Sequence, residues 1–353
     1  MAGLYFQEKG YQYFRTILGT ANKWGLHDYE KVVHAGQAVI TKIKIPSLYK
    51  NYSRYLDDLN IQTDIFDYHF KSPITFAAFE SHFDSIRFWI ELGCGGGCLK
   101  TIKPYSAVGN QRPRFQQLNI NGDEHLINAL GLPGPGIDEF LSKIKEHSFD
   151  YDIPIGLSVG GQSIDEYEAV IAKAVPNLRK ILNFPYIELN ISCPNTNTGQ
   201  VLHDSIEDIE RLLKSIREID SDIMVAIKVS PDAKDENLCD IASLASQIKN
   251  TTLNAGNTQF KKCEAVNLSE NKISIGGGGL SGPSLFKRTL EMAKLFQQFK
   301  LPLIATGGIS SVQQIIELQE KGVAIIGMAT GLVKNPFSIV RINKELHSIK
   351  NRG

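Results

Sequence analysis

The chain has 353 residues, with 38 Lys plus Arg against 38 Asp plus Glu and a formal net charge of zero. That balance leaves no electrostatic footprint for a nucleic-acid partner, and the length allows one α/β barrel of about 250 residues plus roughly 60–100 residues of extension or insertion. Cys94, Cys98, Cys193, Cys239 and Cys263 make no disulfide framework, no apolar run reaches bilayer length and no signal peptide is evident, so a cytoplasmic protein is expected.

Residues 1–60 are rich in aromatic and basic residues and carry two helical stripes. Tyr11, Phe14, Ile17 and Leu18 make one; Val32, Gly36, Val39, Ile40 and Ile43 make the other. Two readings stay open for this N-terminal helical extension. It is a cap packed on the following domain, or a hairpin lying peripherally on the cytoplasmic face of the membrane.

From about residue 61 to 353 strand and helix patterns alternate, which predicts a parallel sheet. The expected strands are Ile74–Phe79, Cys94–Thr101, Ile153–Val159, Tyr186–Ile191, Ile223–Val229, Thr251–Asn254, Pro302–Thr306 and Val323–Met328. Helical patterns lie between most of them, including Ser163–Ala174, Ser205–Ile219 and Pro283–Phe299. Eight such strands close as a (β/α)8 TIM barrel. The sixth is too polar to read as barrel core from pattern alone and is placed by its position. Cys94 and Cys98 flank three glycines, but no second Cys or His pair accompanies them, so no metal site is expected.

Functional residues in such a barrel sit where strands end. Tyr186–Gln200 is a buried strand running into a polar loop that carries Cys193, with Pro194 stopping the pairing. Gly307-Gly308 follows the seventh strand and Ala329-Thr330-Gly331 the eighth. Small residues there let backbone N–H groups approach a phosphate. Gly276–Gly282, followed by Pro283, reads as a third glycine-rich turn before a helix.

Asn190-Ile191-Ser192-Cys193-Pro194-Asn195-Thr196 resembles the active-site signature of the dihydroorotate dehydrogenases, flavoenzymes of pyrimidine synthesis. The resemblance extends over most of residues 70–340 and implies bound FMN, with dihydroorotate and orotate as substrate and product. It implies Cys193 as general base, where soluble class 1 enzymes carry cysteine and membrane-associated class 2 enzymes serine. It implies Lys228, in Ala226-Ile227-Lys228-Val229-Ser230-Pro231-Asp232, beside the flavin pyrimidine edge. Lys100-Thr101 matches class 1, with the lysine facing both flavin and substrate. Asn128, Asn190, Asn195 and Asn254 are implied as substrate ligands, and Asn190 also as a cofactor ligand. Asparagine carries donor and acceptor together, which suits the alternating edge of a dihydropyrimidine. Ala78, Thr101, Gly282, Gly307, Gly308, Ala329 and Thr330 are the remaining implied cofactor contacts.

The features are mixed. Thr196, the Gly279–Gly282 loop, Val229–Asp232 and the extension resemble class 2, and Asp28, Glu30 and His34 resemble its Asp-Pro-Glu…His stretch with Tyr29 replacing the proline. Cys193 and Lys100 resemble class 1. Class 2 ends its first strand Ala-Gly-x-Asp-Lys, whereas Phe79-Glu80-Ser81-His82 follows Ala77-Ala78 here, with His82 at the lysine position and Lys100 expected to supply the charge. The extension points to quinone as electron acceptor. The competing readings are a flavin barrel acting on another pyrimidine, and a non-catalytic phosphate-binding barrel.

Overall fold

A computed structural model describes residues 8–17, 29–42, 56–147, 151–191 and 205–352, the side chains of 39–42 excepted. Fourteen strands are described: β1 (Thr63–Ile65), β2 (Tyr68–Phe70), β3 (Ile74–Phe76), β4 (Gly97–Ile102), β5 (Phe115–Ile120), β6 (Asp123–Asn128), β7 (Pro154–Val159), β8 (Phe184–Asn190), β9 (Met224–Val229), β10 (Thr251–Ala255), β11 (Gln259–Lys262), β12 (Gly277–Ser281), β13 (Leu303–Thr306) and β14 (Val323–Met328). The parallel strands β3, β4, β7, β8, β9, β10, β13 and β14 close on one another in that order. This is a (β/α)8 TIM barrel; seven barrel strands fall on the apolar runs that predict them, and the polar sixth falls where its position places it.

The polar sixth strand, β10, is wholly buried because its side chains find partners inside the protein. Thr251 Oγ1 accepts from Arg217, Thr252 donates to the Pro302 carbonyl, and Asn254 Nδ2 donates to Glu188 Oε2 at 2.8 Å. Buried polar groups are tolerated when they are paired in this way. Helices Ile164–Ile181 and Ile206–Ile219 pack outside, each started by a serine whose side chain accepts from the third helical N–H (Ser163 from Glu166, Ser205 from Asp208).

Two additions complete the barrel. The β1–β2 hairpin plugs its N-terminal end: Ile65, Tyr68 and Phe70 pack against Tyr186, Met224 and Ile304, and the Tyr68 hydroxyl donates to the Pro185 carbonyl at 2.8 Å. At the opposite end β11, β12, β6 and β5 form a four-stranded antiparallel sheet over the mouth. This corrects the reading of Gly276–Gly282 as a turn, since Gly277–Ser281 is strand β12 between β11 and β6. The glycines serve close pairing: a Cβ on Gly278 would lie 2.5 Å from the Asn128 carbonyl oxygen.

In the extension, residues 8–17 and Glu30–Lys42 are helical. Both dock beside the mouth. Tyr11 donates to the Val333 carbonyl at 2.8 Å, Arg15 pairs with Glu124 of β6, and Glu30 takes a two-pronged ion pair from buried Arg114 at 2.9 Å. Burial alone would raise the Glu30 pKa, but Arg114 and Arg112 outweigh it and hold the carboxyl down at about 2. No helix among the described residues is long and apolar enough to cross a membrane.

Candidate functional site

The C-terminal ends of the barrel strands and the overlying sheet enclose a cavity of about 740 Å³. That is the size of a typical cofactor or substrate cleft. Its floor is set by strand register. Asn190 on β8 and Lys228 on β9 are paired neighbours and both point into the cavity. Asn190 Nδ2 donates to Thr101 Oγ1 at 3.0 Å, which lies 2.9 Å from Ser158 Oγ, and the Asn190 carbonyl accepts from the Tyr167 hydroxyl at 2.6 Å. The asparagine is therefore fixed from two sides. Lys228 is only 5% exposed, and its ammonium lies 3.7 Å from Glu188 Oε1.

Lys100 lines the same cavity from β4, and Asn128 from the end of β6. Burial pushes the Lys100 amine below the ordinary lysine range, with Arg114 acting the same way and Glu80 and Glu30 opposing. Ala78 stands on the wall just beyond β3. The far side is built from Gly282, Gly307, Gly308, Ala329 and Thr330. Gly307 and Gly308 have φ of +132° and +72°, and a Cβ on Gly308 would meet the Phe286 nitrogen at 2.3 Å, so the turn requires glycine. Thr306 Oγ1, on the same wall, is buried and has no hydrogen-bond partner among the described residues.

Asn254 lies outside the cavity lining; it is 2% exposed, and its Nδ2 donates to Glu188 Oε2. The residue that reaches the cavity is Asn257, whose Nδ2 lies 3.4 Å from Asn190 Oδ1 and whose own Oδ1 accepts from Thr258 N at 2.8 Å. The signal was present: Asn257-Thr258 after the sixth strand repeats Asn195-Thr196 after the fourth. Cys193 and Asn195 lie outside the described residues.

The segment that departs from the class 2 pattern is also located. Phe79 lines the cavity and packs on Trp89 with ring centroids 5.2 Å apart. Glu80 is turned away, accepting from the backbone N–H groups of Ser81 and His82 at 2.8 Å and from Gln37 of the extension at 2.6 Å. His82 precedes helix Phe83–Glu91, its Nδ1 3.2 Å from Ser85 Oγ, and does not line the cavity. The residue at the class 2 lysine position thus brings no charge to the site. Cys94 and Cys98 are buried, and burial pushes both thiols up. Among the described residues no group of three His, Cys, Asp or Glu side chains is arranged to hold a metal ion.

Between the extension helices and the barrel is a second, small space of about 50 Å³, lined by Tyr11, Phe14, Arg15, Tyr29, Trp89 and Val333 among others. Of the Asp28, Glu30 and His34 group, Glu30 anchors to Arg114, His34 is exposed and 3.0 Å from Gln37, and Asp28 is outside the described residues.

The sequence model for dihydroorotate dehydrogenase matches residues 60–349. Among curated relatives, a dihydroorotate dehydrogenase (quinone) of Pseudarthrobacter chlorophenolicus is 28% identical over 311 residues, covering 81% of this chain and 85% of the relative. The catalytic subunit of dihydroorotate dehydrogenase B (NAD(+)) of Anoxybacillus flavithermus is 28% identical over 257 residues, covering 72% and 79%. The crystal structure of ligand-free type DHODH from Eimeria tenella superposes with a TM-score of 0.76 at 22% identity, covering 92% of this chain and 96% of that one. The matched region spans the barrel, the mouth sheet and every described residue of the cavity, and the chain belongs to the dihydroorotate dehydrogenase family.

Proposed function

We propose that the protein oxidises dihydroorotate to orotate in pyrimidine biosynthesis, using FMN held in the 740 Å³ cavity and passing the electrons to a quinone. The observation that carries this reading is convergence. Lys100, Asn128, Asn190, Asn257 and Lys228 line a single cavity together with the glycine-bearing turns after β13 and β14.

The cavity fits FMN. The Gly307-Gly308 turn exposes backbone where a side chain would clash, the Thr306 hydroxyl, without a hydrogen-bond partner among the described residues, offers a further hydrogen bond, and Lys228 is a buried lysine on the lining. These residues, with Gly282, Ala329 and Thr330, would hold the cofactor. Bound FMN supplies the acceptor for the hydride that leaves C6 of the substrate.

The chain's own residues do the rest. Lys228 would offer a fixed cation to balance the negative charge a bound flavin gains on reduction. Asn190, locked by Thr101 and Tyr167, and Asn257 beside it present amides to the substrate ring, and Lys100 offers its amine to the substrate carboxylate. Cys193, three residues past Asn190, takes the C5 proton as general base. The quinone reading rests on the extension, whose helices dock against the wall of the cavity, and on the larger share of the chain covered by the quinone-type relative. Tyr13 and Ile17, 72% and 50% exposed on the first helix, offer an apolar face for peripheral membrane contact.

Anaerobic titration tests the reading. The purified protein should be yellow, and dihydroorotate should bleach it; a following panel of quinone, fumarate and NAD identifies the acceptor. A yellow protein that dihydroorotate does not bleach refutes the substrate and favours another pyrimidine. A colourless protein that stays so with added FMN favours a non-catalytic barrel.

A further inference from the structure

Below the cavity floor lies a buried charged group that substrate contact does not explain. Glu188 is 2% exposed, inside the barrel one inward position below Asn190. Its Oε2 accepts from Asn254 Nδ2 at 2.8 Å; its Oε1 has no hydrogen-bond partner among the described residues and faces the Lys228 ammonium at 3.7 Å. Asn254 stands on β10 as the register partner of Lys228, with its own Oδ1 also unpartnered among the described residues. A carboxylate sealed in a barrel is costly unless a cation answers it, and Lys228 is the cation placed to do so. Breaking such a pair from one side leaves an uncompensated charge, so the two residues act as a unit.

We propose that Glu188 is a positioning residue: its carboxylate, oriented by Asn254, tethers Lys228 at the cavity floor and partly offsets its charge, thereby setting the reduction potential of bound FMN. The inference rests on the FMN reading above. It assigns Asn254 a task other than substrate contact, because the asparagine donates the hydrogen bond that orients the carboxylate toward the lysine. It also separates two effects of Lys228. The ammonium favours the negatively charged reduced cofactor, while the carboxylate behind it reduces that preference. Removing the carboxylate charge while keeping the lysine should therefore make the cofactor easier to reduce.

The test is the midpoint potential of the flavin in the purified holoenzyme, measured spectrophotometrically against reference dyes. Glu188→Gln keeps the side-chain shape and should shift the reduced-to-oxidised ratio at fixed potential at least tenfold toward reduced, about 30 mV upward for a two-electron couple. Glu188→Asp keeps the charge and should stay within threefold of the parent. If Glu188→Gln does not fold, Lys228→Gln is compared with Lys228→Gln/Glu188→Gln, in which a neutral amide pair replaces the ion pair; the double variant should lie at least tenfold higher than the single one. An unchanged or lowered potential in Glu188→Gln, or no difference within the second pair, overturns the proposal while the yellow colour preserves the functional reading. A parent protein that binds no FMN overturns both.

Discussion

Two asparagines three residues apart, one on the sixth barrel strand and one just past it, separate substrate contact from structural support. Asn257→Ala removes an amide that lines the cavity and sits 3.4 Å from Asn190. Its loss leaves a buried ring group of the substrate without a partner, which costs about 1–3 kcal/mol, a roughly 5- to 150-fold weaker Kd for orotate. The loss should show equally in kcat/KM for dihydroorotate, with little change in thermal midpoint. Asn254→Ala is the contrast. It removes the 2.8 Å bond to Glu188 and should cost about 1–3 kcal/mol of stability. Orotate affinity should stay within about threefold, because the side chain does not reach the cavity. The assay is titration of the holoenzyme with orotate, followed by the flavin spectral change, alongside thermal unfolding. If Asn254→Ala weakens orotate as much as Asn257→Ala does, the assignment of the two roles is wrong.

Cys193→Ala should slow dihydroorotate-driven bleaching by about 10²–10⁴-fold while FMN stays bound, since the residue handles the proton and not the cofactor; rapid-mixing reduction checks this, and loss of flavin with loss of rate would count against it. Gly308→Ala forces a Cβ to 2.3 Å from a backbone nitrogen at φ +72° and should release FMN, read as a colourless protein that still folds by circular dichroism. Glu30 has its folded pKa lowered to about 2, so its contribution is full above the ordinary carboxyl pKa and lost as pH falls toward 2. Proteolysis of the extension should accelerate over that acid window, and Glu30→Gln, removing about 1–2 kcal/mol after solvent screening, should bring that susceptibility to neutral pH. Deleting residues 1–45 should slow quinone reduction while dihydroorotate still bleaches the flavin in a single turnover; equal quinone rates would leave the extension as a cap.

The barrel was legible because its strands are buried on both faces, so β7, β9 and β14 appear as short apolar runs between helical patterns. The mouth sheet is not legible as a whole, though one signal for it stands in the sequence. Asn121-Gly122 joins β5 to β6 with φ of +54° and +89°, the two-residue hairpin turn that this dipeptide favours. The β1–β2 hairpin has no such marker, because Phe66 occupies its positive-φ position. Asn257 rather than Asn254 lines the cavity for a tertiary reason. At Gly256 the backbone comes so close to the Thr306 carbonyl that a Cβ would lie 1.8 Å from its oxygen, and this bend lifts Asn257 over the mouth. Nothing in local pattern announces an approach between residues 256 and 306.

The departure at Phe79–His82 becomes coherent when charge and docking are considered together. Class 2 resemblance calls for a lysine at the end of the first strand, and His82 is the residue at that place. Yet His82 is held at a helix start, and Glu80 has become a docking point for Gln37 of the extension. A second lysine beside Lys228 instead comes from β4: Lys100 lines the cavity, and its backbone nitrogen donates to the Glu80 carbonyl at 3.0 Å. One short segment thus fixes the extension on its outer side and the neighbouring lysine strand on its inner side. A class 1-like lysine and a class 2-like extension meet at one segment: Glu80 docks the extension and His82 starts a helix, Phe79 lines the cavity, and the second strand brings Lys100 to it.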